Sequence, residues 1–155
     1  MQETITYLEM TSPDDLVPAR PAAVTLEPAG PSLTRDLTLR VGTPYQWVSS
    51  AWSDDQWDDY LSRPHHSWAI TATEPAGLAR YAVEDDEVEI TTFGLLPEWI
   101  GRGIGGHALT LTIRKAWELA PATRRVWLHT STLDHPHALP NYQKRGLRPY
   151  RTEAR

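Results

Sequence analysis

The chain has no cysteine in its 155 residues, which removes disulfides, thiolate nucleophiles and cysteine metal ligands at once. It has no apolar run approaching the roughly 18 residues of a membrane span. Its first six residues lack the basic region and apolar core of a signal peptide, so a cytoplasmic protein is expected. Basic residues are in deficit: the formal net charge is −5, which argues against sequence-independent binding of nucleic acid, a process dominated by phosphate neutralisation. The lysines number two against thirteen arginines, a bias that reads as the mark of a GC-rich bacterial genome. There is no Gly-x-Ser-x-Gly elbow for a serine hydrolase. The pairs His65-His66 and His135-Pro136-His137 lack a third ligand at convincing spacing, so no metal is expected. The length fits a single domain with one core.

What is present alternates between strand and helix signals. Residues 4–9 alternate as a first strand, followed by a proline-punctuated loop with a short strand at 23–26. A helix is predicted over 32–41, and a second from Ser53, where Ser53-Asp54-Asp55-Gln56 reads as a capping box leading into Trp57. Residues 67–73, 77–84 and 87–95 form an antiparallel meander turned by Glu74-Pro75-Ala76 and by Asp85-Asp86. From 103 to 120 the apolar positions share one broad helical side, which is expected to pack on the sheet. A buried strand over 125–131, a helix over 136–145 with Asp134 as its N-cap and Gly146 as its stop, and a strand over 147–152 complete the chain. The class is therefore mixed α/β, a single domain with a mainly antiparallel central sheet flanked by helices in the order βααβββαβαβ.

The most informative stretch runs from Phe93 to Gly106, where a strand gives way to a glycine-rich turn that opens the amphipathic helix. A helix start presents free N–H groups and a partial positive charge, and glycine lets an anion approach them closely, so a phosphate-bearing ligand is indicated. Gly101-x-Gly103-x-x-Gly106 fits the dinucleotide fingerprint formally, but the next strand offers no acid for ribose hydroxyls. Gly106-His107 stands where a P-loop needs Lys-Ser or Lys-Thr.

The stretch instead resembles the GNAT superfamily of acyl-CoA-dependent N-acyltransferases, over about residues 89–150 and most closely over 95–109. The family loop is Gln/Arg-x-x-Gly-x-Gly/Ala, matched here by Gly103-Ile104-Gly105, with Ile100 at the position of the Gln or Arg. A second match is Ala138-Leu139-Pro140-Asn141-Tyr142-Gln143-Lys144-Arg145-Gly146-Leu147, which is similar to the family's Ala-x-x-x-Tyr-x-x-x-Gly-Phe segment, with His135 where an Asn often stands.

The resemblance implies that residues 87–155 bind acetyl-CoA and residues 1–86 form the acceptor side. Gly94, Leu95 and Leu96 would meet the pantetheine arm and thioester oxygen through their backbone. Gly101, Arg102, Gly103, Ile104, Gly105, Gly106 and His135 are the candidates at the phosphates. Tyr142 stands at the position of the general acid, and Glu89 where some members carry a catalytic Glu. Tyr142 can equally be a core ring, and Glu89 an exposed strand carboxylate in an acidic run. Strand alternation puts Glu89, Thr91 and Phe93 on one face. Tyr45, Trp47 and Trp52, near Asp54, Asp55, Asp58 and Asp59, are the acceptor candidates, since aromatic faces beside carboxylates suit a cationic amine. The alternative for that region is the buried stripe of an acidic surface helix. The implied function is direct acetyl transfer to the primary amine of a small, amino-acid-like acceptor. Its alternatives are a lysine peptide as acceptor and a non-catalytic acyl-CoA-binding module. The family's usual seventh strand has no room before Arg155, so the sheet edge is expected to be covered by the N-terminal segment or by a partner, with a homodimer as one option.

Overall fold

A computed structural model describes residues 2–63 and 66–155, so the pair His65-His66 lies partly outside the described residues. Seven strands and four α-helices follow one another as β1 (Thr4–Met10), β2 (Thr25–Pro28), α1 (Pro31–Gly42), α2 (Asp54–Ser62), β3 (His66–Thr71), β4 (Pro75–Glu84), β5 (Glu87–Leu95), α3 (Gly105–Glu118), β6 (Arg125–Ser131), α4 (Ala138–Lys144) and β7 (Arg148–Ala154). The strands form one sheet in the order β2-β3-β4-β5-β6-β1-β7, in which only β5 and β6 run parallel. The fold is the mixed α/β single domain expected from the sequence.

Local chemistry explains most boundaries. Pro31 opens α1 where its missing N–H costs nothing. At α2 the Ser53 hydroxyl accepts from the Gln56 backbone N–H while the Gln56 side-chain Oε1 accepts from the Ser53 backbone N–H, so the capping box forms as read. Asp85 takes φ 56° in the tight turn between β4 and β5. α3 lies across the sheet and buries Leu109, Ile113 and Ala116 against Leu8, Met10, Tyr81, Ile90 and Leu128. The other sheet face is covered over β3–β5 by α1, with Leu37 and Val41 on Ala69, Leu78 and Leu96.

The sheet's interior includes a strand from the far end of the chain. β1 sits between β6 and β7, antiparallel to both, so the N-terminal segment fills the place between the last two strands. Residues 11–24 then return across the α3 side: Val17 N–H donates to the Arg145 carbonyl at 2.9 Å and Ala19 N–H to Thr110 Oγ1 at 3.0 Å.

Three expectations are corrected. The last helix starts at Ala138, not 136, and Asp134 does not cap it: its Oδ2 accepts from Thr130 Oγ1 at 2.7 Å and from Ser131 N–H at 2.9 Å, closing the turn after β6. A bulge in β5 leaves Thr91 without a partner between the pairs Tyr81–Ile90 and Arg80–Thr92. The extra residue inverts the alternation, so Phe93 packs with Ile90 on the α3 side and no longer shares a face with Glu89. Trp52 turns away from the cleft, packing its ring 4.9 Å from Trp57 and 4.8 Å from Tyr60.

Candidate active site

β5 and β6 pair only over Glu87–Glu89 and Arg125–Trp127, although both strands continue well past that point. Beyond the last pair they part, and a cavity of about 420 Å3 fills the opening. Its walls come from four places: Phe93, Gly94 and Leu95 on β5; Ile100, Gly101, Gly105 and Gly106 at the start of α3; His137, Asn141, Tyr142 and Lys144 on and before α4; and Val41, Tyr45 and Trp47 from α1 and the loop after it. Asp134 and His135 close the side next to β6.

The glycine-rich loop has the conformation its sequence asks for. Gly101 and Gly103 sit at φ 81° and 80°, and no atom lies within 4 Å of where a Cβ would be, so glycine is required there by backbone geometry and not by space. No side chain caps α3, and its first N–H groups have no partner one turn earlier. These donors face the cavity at Gly105 and Gly106. The cations nearby are unpaired: Arg102 stacks over the Trp99 ring at 4.6 Å, Lys144 lines the cavity, and the Arg145 guanidinium lies against Gly106 with its Nε buried and unbonded. Among the described residues no acid forms an ion pair with these three, whereas Arg35, Arg40, Arg124, Arg125, Arg148 and Arg151 each hold a carboxylate. Together these groups give this end of the cavity a positive, donor-rich wall, the kind of setting that suits an anion.

Tyr142 projects from α4 with only 7% of its surface exposed, its ring edge-on to Phe93 at 6.3 Å between centroids. Burial, and secondarily the charge of Asp134, pushes its phenol well above the ordinary value, so the hydroxyl keeps its proton through the physiological range. That hydroxyl makes no hydrogen bond to any described residue, which leaves it available to a ligand.

The remaining candidates separate into those at the cavity and those away from it. Gly94, Leu95, Gly101, Gly105, Gly106, His135, Tyr45 and Trp47 line it. Leu96 is fully buried against α1, and its N–H is spent on the Ala76 carbonyl at 2.8 Å. Arg102, Gly103 and Ile104 shape the loop without lining the wall. Glu89 opens instead on a second cavity of about 280 Å3 with Glu84, Asp86, Arg124 and Trp127. Burial raises the Glu89 pKa, and its nearest basic group, His129 Nε2, is 4.0 Å away. His129 is itself lowered, mainly by burial, so the two do not form an ion pair at neutral pH. The acids of α2 do not reach the cleft; Asp54 holds Arg35 at 2.6 Å and Asp59 holds Arg63 at 2.5 Å. Sequence reasoning missed Asp134 and Asn141 as cavity residues. Among the described residues no group of three potential ligands could hold a metal ion, and no helix is long and apolar enough to cross a membrane.

The site thus combines a parted pair of parallel strands, a helix start rich in free N–H groups beside the gap and an unbonded tyrosine that lines the same cavity. The model of the acetyltransferase (GNAT) family matches residues 35–147, nearly three quarters of the chain. The chain belongs to the GNAT acetyltransferase family. Solved GNAT structures share its fold at low identity. A GCN5-related N-acetyltransferase from Kribbella flavida superposes with a TM-score of 0.66 at 21% identity, over 97% of this chain and 56% of its own. One from Sphaerobacter thermophilus gives 0.60 at 17% over 97% of this chain and 49% of its own. A tandem GNAT protein from the clavulanic acid biosynthesis pathway gives 0.61 at 16%, over 97% and 51%. This GNAT chain thus spans about half the length of these solved relatives. Among curated proteins no sequence matches it significantly.

Proposed function

We propose that this GNAT chain moves an acetyl group from acetyl-CoA directly to the primary amine of a small, amino-acid-like acceptor. The observation that carries the reading is the single cavity joining the start of α3 to the Tyr142 hydroxyl through the gap between β5 and β6. The residues present fit the donor: free N–H groups and unpaired cations for its phosphates, and an apolar passage past Phe93 and Leu95 for its arm. The donor supplies an activated thioester. Gly94 and Leu95 border the passage where the thioester carbonyl would lie. Tyr142, proton-bearing at neutral pH, donates to the departing sulfur as general acid. Glu89 has no contact with this cavity and takes no part in the scheme.

With no cysteine to carry an acyl group, transfer is direct within a ternary complex: the C–N bond forms and the C–S bond breaks, the sulfur takes the Tyr142 proton, and the proton lost by the amine passes to solvent, from which the phenol is re-protonated. Free-thiol release from acetyl-CoA, measured against polyamines, amino acids, aminoglycosides and lysine peptides, tests the reading. Amine-dependent release supports it and names the acceptor class. Coenzyme binding without release on any acceptor favours a non-catalytic acyl-CoA-binding module.

A further inference from the structure

Among the residues that line the cavity, Lys144 is the one lysine or arginine and Asp134 the one carboxylate. The two do not pair with each other; Asp134 takes only neutral donors. Beside the Thr130 and Ser131 bonds on Oδ2, its Oδ1 accepts the Trp47 indole N–H at 3.2 Å. Three donors fix the carboxylate's orientation and leave about one of its roughly four lone-pair directions open. The negative charge remains unneutralised.

That charge faces the acceptor-side aromatics. It contributes to raising both the Tyr45 and the Tyr142 phenols, so it acts on the same space that these rings enclose. Trp47 is held firmly in that space. A Cβ added at Gly42 would run into its ring, and the ring edge reaches to 3.9 Å from the Cβ position of Gly94 on β5. A fixed anion at the indole edge of Trp47, in a cavity that Tyr45 also lines, suits an organic cation.

We propose that Asp134 is the recognition site for an alkylammonium group of the acceptor, walled by Tyr45 and Trp47. This deepens the acetyl-transfer reading and rests on it for the word acceptor, but the binding itself does not require turnover. The acceptor class that follows is the aliphatic amine, cationic when it arrives, in preference to weakly basic aryl amines.

The test is calorimetric titration with benzylammonium and with its neutral near-isostere benzyl alcohol, on the full chain saturated with coenzyme A. The native chain is expected to prefer the ammonium by at least about tenfold, a modest value for one charge-assisted contact. Asp134→Asn should abolish the preference while still binding the alcohol. Asp134→Glu, which keeps the charge, should retain much of it even if the turn after β6 loosens. Equal binding of the two probes by the native chain, absence of binding by either, or a preference that survives Asp134→Asn overturns the proposal. A preserved, Asp134-dependent preference together with no thiol release on any amine would refute acetyl transfer and leave the cation site standing.

Discussion

Replacing Tyr142 with phenylalanine removes one oxygen from the cavity wall and leaves the ring where it is. The ring packs in the core against Phe93, and the substitution keeps that contact. The hydroxyl holds no hydrogen bond to a described residue, so the usual loss of about 1 kcal/mol for a deleted bond does not arise. Thermal stability should therefore stay within about 2 °C of the native chain. Activity should respond very differently. A positioned general acid contributes about 100-fold or more, which corresponds to roughly 2.7 kcal/mol in the barrier. Steady-state assays with acetyl-CoA and the best acceptor should show that loss in kcat, with the coenzyme's affinity nearly unchanged. Because burial raises the phenol, the native enzyme's rate should show no alkaline loss assignable to Tyr142 below about pH 10. An unchanged kcat, or a fall of more than about 5 °C in Tm without kinetic effect, would refute the argument that the hydroxyl is kept free for chemistry.

Three further outcomes follow from the same geometry. Gly103→Ala meets no steric obstacle but forces an L-residue to φ 80°, so a cost of about 1–2 kcal/mol should appear as a lower Tm and about tenfold weaker coenzyme A binding by calorimetry. Glu89→Gln should raise Tm at pH 7. The folded carboxyl is raised above its ordinary 4.5, so its charged form burdens the native state as pH climbs through and beyond that range. The gain should vanish below pH 4.5 in a Tm series, and a gain that persists there would contradict the burial argument. Leu8→Ala, in the strand held between β6 and β7, should cost about 2–5 kcal/mol in urea unfolding, against under about 0.5 kcal/mol for Val17→Ala, which is 54% exposed.

Local signals carried most of the architecture. β5 and β6 appear at the expected residues because alternation and the Asp85-Asp86 turn are short-range facts, and the same holds for the Ser53 capping box. The glycine loop was legible as the turn that opens α3, since its two left-handed positions are filled by the residue that tolerates them. What escaped depends on partners distant in sequence. Nothing in residues 4–9 says that they will pair with both 126–131 and 148–154. The Thr91 bulge inverted a two-residue period and moved Phe93 off the face of Glu89. Asp134 has the composition of a helix cap, and only the tertiary approach of Trp47 across 87 positions of sequence makes it a wall of the cleft. Trp52 has the composition of a cleft aromatic, but Trp57 and Tyr60 recruit it into a separate cluster.

The central claim is that one cavity brings a coenzyme's phosphates to the start of α3 and its sulfur to Tyr142. A crystal structure of the chain with coenzyme A tests it most directly. The account predicts pyrophosphate oxygens on the N–H groups at Gly103–Gly106, a cation from Lys144 or Arg145 beside the phosphates, and the sulfur within hydrogen-bond reach of the Tyr142 hydroxyl. Coenzyme bound outside the gap between β5 and β6, or a sulfur directed away from Tyr142, would contradict it.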